Sequence, residues 1–469
     1  PSIEDLQATP VAGSDFAWTV TSFDGTDIRA NWFPLDGASK AKPAPTLLMG
    51  PGWSMSGDTS QDGAAIFGAL SISSMHDQGY NVLTWDPRGF GSSTGKATVD
   101  SKDHEGRDVQ ALLDFVAQQP EAELDRTADP RAGMVGFSYG GGIQFVTAAI
   151  DCRVDALVPG IAWHSLETSL FKNRTVKQGW STLLTSSASS ASLDPHIMSA
   201  YESGTATGAL SEEDEQWFRD RGPGDELVGK VRVPTLILQG TVDTLFTLDE
   251  AITNLRILQG NDVPAAMLWF CGGHGTCLTD PGDGERVAHA QFDWLARYLK
   301  GDDSAPKVPT FETLDQAGTA WTGDDYPWKA DDHLETSDAT EQTMALDAAA
   351  TAGPLTDGVD PSDPLGGAVA GITPAKATGG IDLPLEDAVD DALVVGAPKL
   401  TLQYHGTTPD GERPTRIFAQ LVDDDLGVVV GNQITPIEVT LDGKTHTVEV
   451  DLEVIAQLVR PGHGLTLQL

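Results

Sequence analysis

The sequence predicts an α/β core interrupted by a helical insertion and followed by an all-β domain. Three observations predict it. Short apolar runs alternate with amphipathic segments up to Lys300, the rhythm of a doubly wound sheet. That rhythm breaks once, between residues 164 and 231, where Ser/Thr-rich turns and scattered aromatics replace it. From about Gly301 the composition shifts to Asp, Ala, Gly, Thr and Pro, and short strand-like runs separated by turn signals then take over. The expected division is a first part of the core at 1–163, a helical cap at 164–231, a second part of the core at 232–300, and a linker with a C-terminal β-sandwich or jelly-roll domain at 301–469. A chain of 469 residues exceeds what one hydrophobic core usually serves, which agrees with more than one domain.

In order, Phe16 to Phe33 alternates and turns at Asp24-Gly25, an antiparallel pair. Thr46 to Gly50 is a continuous apolar strand of the kind covered on both faces. It runs into Pro51-Gly52-Trp53. Asn81 to Trp85 is the next strand and ends in Asp86-Pro87-Arg88-Gly89-Phe90-Gly91, where Asp86 and Arg88 are expected to pin the loop by a salt bridge. Asp108 to Gln119 is an amphipathic helix. Ala156 to Trp163, Val233 to Gly240 and Ala265 to Phe270 complete the core strands. The β-domain strands are expected at Lys399 to Tyr404, Arg416 to Leu421, Gly427 to Val430, Thr445 to Leu452 and Gly464 to Leu469, with turns at Pro409-Asp410-Gly411, Asp442-Gly443 and Pro461-Gly462.

The informative stretch is Arg131 to Ile150. An apolar strand meets Gly136-Phe137-Ser138-Tyr139-Gly140-Gly141, and helical periodicity follows at once. A serine between strand and helix must turn so sharply that only glycines fit beside it, and the turn lifts Ser138 Oγ out of the sheet. It also leaves the Tyr139 N–H at the first turn of a helix, where an unpaired donor can meet a developing oxyanion. The loop at the end of the strand before Pro51 is where a second such donor sits in this architecture, and the Trp53 N–H is the candidate.

Acyl transfer from a serine needs a base and an acid to orient it. After the serine, these come in the order acid, then histidine, each on a loop following a core strand. Asp243 follows the strand ending at Gly240, and His274 follows the strand ending at Phe270. Of ten histidines, His274 is the one on a Gly-rich loop after the last core strand. Asp249 and Asp280 are the fallback acids. Order, position and residue type together predict an α/β-hydrolase core with a Ser138, His274, Asp243 triad. No metal or organic cofactor is expected.

The Asp86 to Gly95 loop, the Gly136 to Gly141 elbow, Gly240-Thr241-Val242-Asp243 and the β-domain ending in Arg460-Pro461-Gly462-His463 resemble the Xaa-Pro dipeptidyl peptidase and cocaine-esterase-like hydrolases. The resemblance implies a hydrolase core, a helical cap and a jelly roll in that order, with the same three catalytic residues. Members of the cocaine-esterase type hold the oxyanion with a tyrosine hydroxyl in a Pro-Tyr pair. Here the corresponding run is Pro51-Gly52-Trp53, so a hole of two backbone donors, Trp53 and Tyr139, is expected.

Three function classes follow. The leading one is a serine hydrolase acting on carboxylic esters or amides, with a small-molecule or peptide acyl substrate. The second is an aminopeptidase releasing Xaa-Pro dipeptides, which needs an acidic anchor such as the run Glu212 to Glu215. The third is a non-catalytic binding protein on a hydrolase scaffold. Nucleic acid is excluded as a partner because Lys plus Arg number 29 against 69 Asp plus Glu, a formal charge of −40. No run approaches the ~20 apolar residues of a membrane span.

The chain begins at Pro1 without Met, basic n-region or apolar h-region, so a signal peptide has been removed or the chain was trimmed. A secreted or cell-envelope protein is expected, with a cytoplasmic one as the alternative. Of three cysteines, Cys271 and Cys277 bracket the His274 loop, and a disulfide there is feasible in an oxidising compartment. Cys-x-x-His-x-x-Cys is also a weak metal pattern, having three ligands on one tight loop and no second cluster. Cys152, just past an apolar helix, reads as a small buried hydrophobe.

Overall fold

The computed structural model describes residues 6–66, 68–328, 334–337, 340–346, 376–408 and 415–469; the turn expected at Pro409-Asp410-Gly411 lies outside them. Eleven strands form the core sheet among these residues. They are β1 (Ala8–Pro10), β2 (Ala17–Thr21), β3 (Asp27–Phe33), β4 (Thr46–Gly50), β5 (Asn81–Trp85), β6 (Ala132–Phe137), β7 (Val154–Gly160), β8 (Thr235–Gly240), β9 (Ala265–Phe270), β10 (Phe311–Leu314) and β11 (Ala320–Gly323). Their spatial order is β1-β2-β3-β5-β4-β6-β7-β8-β9-β10-β11. Pairing is parallel from β5 through β10 and antiparallel at both edges.

The central strands are apolar throughout because both faces are covered. Successive residues of β4 go to opposite sides: Leu48 joins a core with helices α2 (Glu105–Val116), α3 (Tyr139–Ile150) and α9 (Leu248–Gly260). Leu47 and Met49 join the other core, with α1 (Ile72–Asp77) and α10 (Arg286–Tyr298). The sheet does not stop at Lys300, where the alternation of strands and helices was expected to end. Phe311 of β10 is fully buried, with its ring 4.8 Å from Trp269 and 4.7 Å from Tyr326, so two strands from the region read as a linker continue the sheet.

Between β7 and β8 lie α4 (Leu166–Leu170), α5 (Gln178–Ser187), α6 (Pro195–Thr207), α7 (Glu212–Arg219) and α8 (Gly224–Val228), the helical cap. Local chemistry starts and stops these helices. Asp194 caps α6 by accepting from the His196 amide, Pro195 follows at the first turn, and Gly208 ends the helix at φ 71°. The acidic run Glu212 to Glu215 is the first turn of α7, beneath a Ser211 cap, where negative charge meets the positive end of the helix.

Among the described residues, the C-terminal region consists of β-strands apart from one short 3-10 turn at Val430–Asn432. Thr415–Asp423 pairs antiparallel with Leu465–Gln468 and Thr435–Val439, while Ala392–Gly396 pairs with Ile455–Val459 and Lys399–Tyr404 with His446–Asp451. Strand Thr435–Val439 escapes a sequence reading because Pro436 argues against one. The separate core here includes Ile417, Leu421, Ile437, Val459 and Leu467.

Two local expectations are corrected. Arg88 does not pair with Asp86; its Nε and Nη2 donate to Asp108, both at 2.7 Å, and Nη1 reaches Asp24 at 3.1 Å. Asp86 instead accepts from the amides of Gly57 and Ser92, so it still ties down the loop, through backbone. Cys152 is exposed rather than buried, because α3 ends two residues before it and releases the chain to the surface.

Candidate active site

Ser138 sits between β6 and α3 with φ 57° and ψ −118°, a conformation that side chains other than glycine adopt only under constraint. The constraint is visible. A Cβ on Gly140 would stand 2.1 Å from the Gly50 carbonyl oxygen, so the head of α3 lies directly on the end of β4. Gln144, fully buried in α3, donates to the carbonyls of Gly136, Gly140 and Val158 and accepts from the Val158 amide. One side chain thus ties strand, turn, helix and the next strand together. Sequence reading passed over Gln144, although a glutamine in so apolar a helix was a signal that could have found it.

Asp243 and His274 lie on the loops after β8 and β9, at the same edge of the sheet. His274 Nδ1 is 2.7 Å from Asp243 Oδ2, and His274 Nε2 is 2.8 Å from Ser138 Oγ. The Asp243 carboxylate is fully buried and further accepts from the amides of His274 (3.0 Å), Leu245 (3.0 Å) and Phe246 (2.7 Å). With its Nδ1–H directed at this acceptor, the imidazole presents Nε2 to the serine hydroxyl. The rings of Phe246 and Trp180 stand edge-on to His274 at 5.1 and 5.9 Å and screen it from water.

The fallback acids are elsewhere. Asp249 is in α9 and pairs with Lys172 at 3.1 Å, and Asp280 accepts from the Gly282 amide. His164, at the head of the cap, bonds Asn254 instead. Cys271 and Cys277 are joined by a disulfide, Cα to Cα 5.0 Å, which closes the loop carrying His274 and takes both thiols out of the metal pattern.

Ser138 opens on a cavity that is continuous with solvent. Trp53 and Tyr139 flank the serine there. The Trp53 indole donates to the Leu184 carbonyl at 2.9 Å, and its ring packs edge-on against Phe90 and Tyr139. Most of the remaining wall comes from the cap, including Leu170, Phe171, Leu184, Ile197, Leu210 and Phe218. Glu167 and Glu215 also face it, but both are held by Arg219, at 2.7 and 2.8 Å for Glu167 and 2.9 Å for Glu215. The Glu167 carboxyl accordingly lies below its ordinary value, chiefly through the Arg219 hydrogen bond.

Behind the site, burial raises the Tyr139 phenol well above the usual tyrosine value; its hydroxyl lies 3.4 Å from Glu105 and 3.5 Å from the Asp100 amide. This second set of contacts holds the residue after Ser138 by its side chain.

The parallel sheet, the strained serine between strand and helix, and the histidine that joins it to a buried aspartate are those of an α/β-hydrolase. Residues 24–276, more than half of the chain, match the family model of the X-Pro dipeptidyl-peptidases, S15 family. The chain belongs to this family, and it is a serine hydrolase of the ester- and peptide-cleaving kind. It is similar to a Penicillium polyketide transferase, 30% identical over 153 residues that make up 33% of this chain and 46% of that protein. The match therefore spans less than half the length of that relative. It is also similar to a bifunctional esterase/perhydrolase of Acinetobacter calcoaceticus, 25% identical over 244 residues, 48% of this chain and 81% of that one. In three dimensions it resembles a CocE/NonD family hydrolase from Staphylococcus aureus, with a TM-score of 0.63 and 12% identity over 100% of this chain and 89% of the other. That likeness covers cap and C-terminal region as well as core, so the whole architecture is shared.

Proposed function

We propose that this chain hydrolyses carboxylic esters with sizeable apolar acyl groups, and the corresponding amides, through an acyl-enzyme on Ser138. The observation that carries the reading is the continuous hydrogen-bond chain from Asp243 through His274 to Ser138, opening on a cavity with a mainly apolar wall. Ser138 Oγ attacks the carbonyl carbon while His274 Nε2 takes its proton. The imidazolium formed is supported by Asp243, and the oxyanion is met by the amides of Trp53 and Tyr139. His274 then returns the proton to the departing alcohol or amine. Water repeats the sequence in reverse, so that the acid leaves and the serine is restored.

The Xaa-Pro dipeptidyl aminopeptidase reading would need a free carboxylate for the substrate's ammonium group. Glu167 and Glu215 are in place, yet the Arg219 guanidinium already engages both, and this favours the ester reading. The non-catalytic reading would leave a strained serine and a buried acid without purpose. An oxidising, secreted or envelope setting is part of the proposal, supported by the Cys271–Cys277 bridge.

The test compares p-nitrophenyl butyrate and octanoate with Ala-Pro-p-nitroanilide, using the native chain and Ser138→Ala. The expected outcome is turnover of the esters, none by Ser138→Ala, and loss of fluorophosphonate labelling in that variant. Labelling or turnover that survives removal of the Ser138 hydroxyl refutes the assignment, and preference for the anilide reverses the ranking.

A further inference from the structure

The loop that carries Asp243 is held by side chains from three separate parts of the molecule, one bond after another. The Asp243 carbonyl accepts from Gln433 Nε2 of the C-terminal region at 2.9 Å. The carbonyls of Thr244 and Leu245 both accept from Lys177 Nζ of the cap at 2.9 Å. The Phe246 carbonyl accepts from Gln239 Nε2 of β8 at 2.6 Å, and the Thr244 hydroxyl from the Trp180 indole of the cap at 3.1 Å. On the opposite side, the amides of Leu245 and Phe246 hold the carboxylate itself. No helix or strand organises residues 243–246, so these side chains do what a regular hydrogen-bond ladder does elsewhere.

The approach of the C-terminal region is close and specific. Gln433 is buried and follows Gly431 and Asn432, both with positive φ, which turn the chain towards the core. A Cβ on Gly431 would stand 2.7 Å from the Thr241 carbonyl oxygen, two residues before the acid. Around this point Lys172 of the cap pairs with Glu453 at 2.7 Å, Asn173 donates to the Pro436 carbonyl, and Arg416 donates to the Thr175 hydroxyl. The cap and the C-terminal region therefore grip each other where they meet the acid loop.

We infer that Gln433 and Lys177 are positioning residues for Asp243, so that the all-β region and the cap complete the catalytic loop rather than merely covering the core. The inference rests on the triad reading above. Neither residue lines the substrate cavity. Each acts through the backbone of residues 243–245, whose placement sets the direction of the Asp243 carboxylate and hence the orientation of His274. A carboxylate displaced by a fraction of an ångström leaves the imidazole free to turn away from Ser138, which slows both chemical steps and leaves ester binding as it was.

The experiment uses the full chain and p-nitrophenyl butyrate. Gln433→Leu and Lys177→Met should each lower kcat about tenfold or more while changing KM less than about twofold. Lys177→Arg, which keeps donors in reach, should recover most of the loss. The decisive readout is a double-mutant cycle with Asp243→Asn: once the acid is disabled, adding Gln433→Leu or Lys177→Met should cost less than about twofold, since an effect transmitted through Asp243 has nothing left to act on. Should Gln433→Leu fail to fold, Lys177→Met carries the same test from the cap side. An unchanged kcat in the single variants, or the same fold-loss in the Asp243→Asn background, overturns the inference while leaving the triad intact. Turnover that persists in Ser138→Ala instead brings down the triad reading itself.

Discussion

His274 Nε2 lies 2.8 Å from Ser138 Oγ although 136 positions separate the two residues along the chain. They meet because strands β6 and β9 run parallel in one sheet and end at the same edge, so the loops that follow them share a rim. The second bond, from His274 to Asp243, closes the arrangement and fixes which ring nitrogen faces the serine.

Replacing Asp243 with Asn removes that fixed acceptor and lets the amide donate towards Nδ1, favouring the wrong tautomer. The expected loss in kcat for p-nitrophenyl butyrate is roughly four orders of magnitude, with a small change in KM. Steady-state kinetics at neutral pH checks it; a loss below about tenfold means that Asp243 is not the acid.

Gly140→Ala tests the close passage of α3 over β4. The new methyl would meet the Gly50 carbonyl at 2.1 Å and the Pro51 carbonyl at 3.0 Å, and both are backbone atoms unable to swing aside. Overpacking of this kind costs about 1–3 kcal/mol or more, and Ser138 moves with the helix. A lower Tm together with slower fluorophosphonate labelling is expected. Gly179→Ala in α5, where a Cβ meets nothing within 4 Å, is the control and should leave Tm unchanged or slightly raised.

Under the proposed function, the cavity wall would set the acyl group. Ala200 is buried in α6 and faces the cavity, so Ala200→Phe fills space that a long chain needs. Along a series from p-nitrophenyl acetate to decanoate, kcat/KM for the octanoate should drop on the order of tenfold relative to the acetate, a bulk effect worth ~1–3 kcal/mol. A uniform drop across the series would mean that the acyl chain lies elsewhere.

Stability should respond to pH through Asp155. Burial raises its carboxyl from 3.8 to about 6, helped by the charges of Asp125 and Asp129 and opposed by the Ala132 amide and Arg131. Between those two values the folded chain keeps a proton that the unfolded chain has lost, so this group's contribution to stability falls as pH rises through the window and is level above it. Asp155→Asn has no such proton to lose. Its stability relative to the native chain should therefore increase from about pH 4 to about pH 6 and then plateau, as read by urea denaturation at several pH values. A difference that is flat or runs the other way contradicts the raised value.

Much of the site was legible because its signals are local. The glycines around Ser138, the apolar run before it and the periodicity after it report one turn, whose sterics involve neighbouring residues alone. Asp243 and His274 could be placed by their position after core strands, and the structure brings both within hydrogen-bond reach of their partners. The pairing of Arg88 was misread because chain proximity suggested Asp86, whereas the helix carrying Asp108 packs over that loop and supplies the bidentate partner. The sheet was expected to end too early because Phe311 stands in an acidic, Gly- and Pro-rich stretch that hides its burial against Trp269.

By itself the amino-acid order determined the fold class, the succession of core, cap and all-β region, and the three residues joined around His274, since each leaves a periodic or steric mark within a few positions. Only the tertiary structure decided that Gln144 ties the elbow together, that Arg219 occupies both carboxylates of the cavity, and that Gln433, 190 positions away, holds the Asp243 carbonyl. A polar side chain seeking one distant partner has no period and no local steric signature, so its role appears only when docked surfaces bring donor and acceptor together.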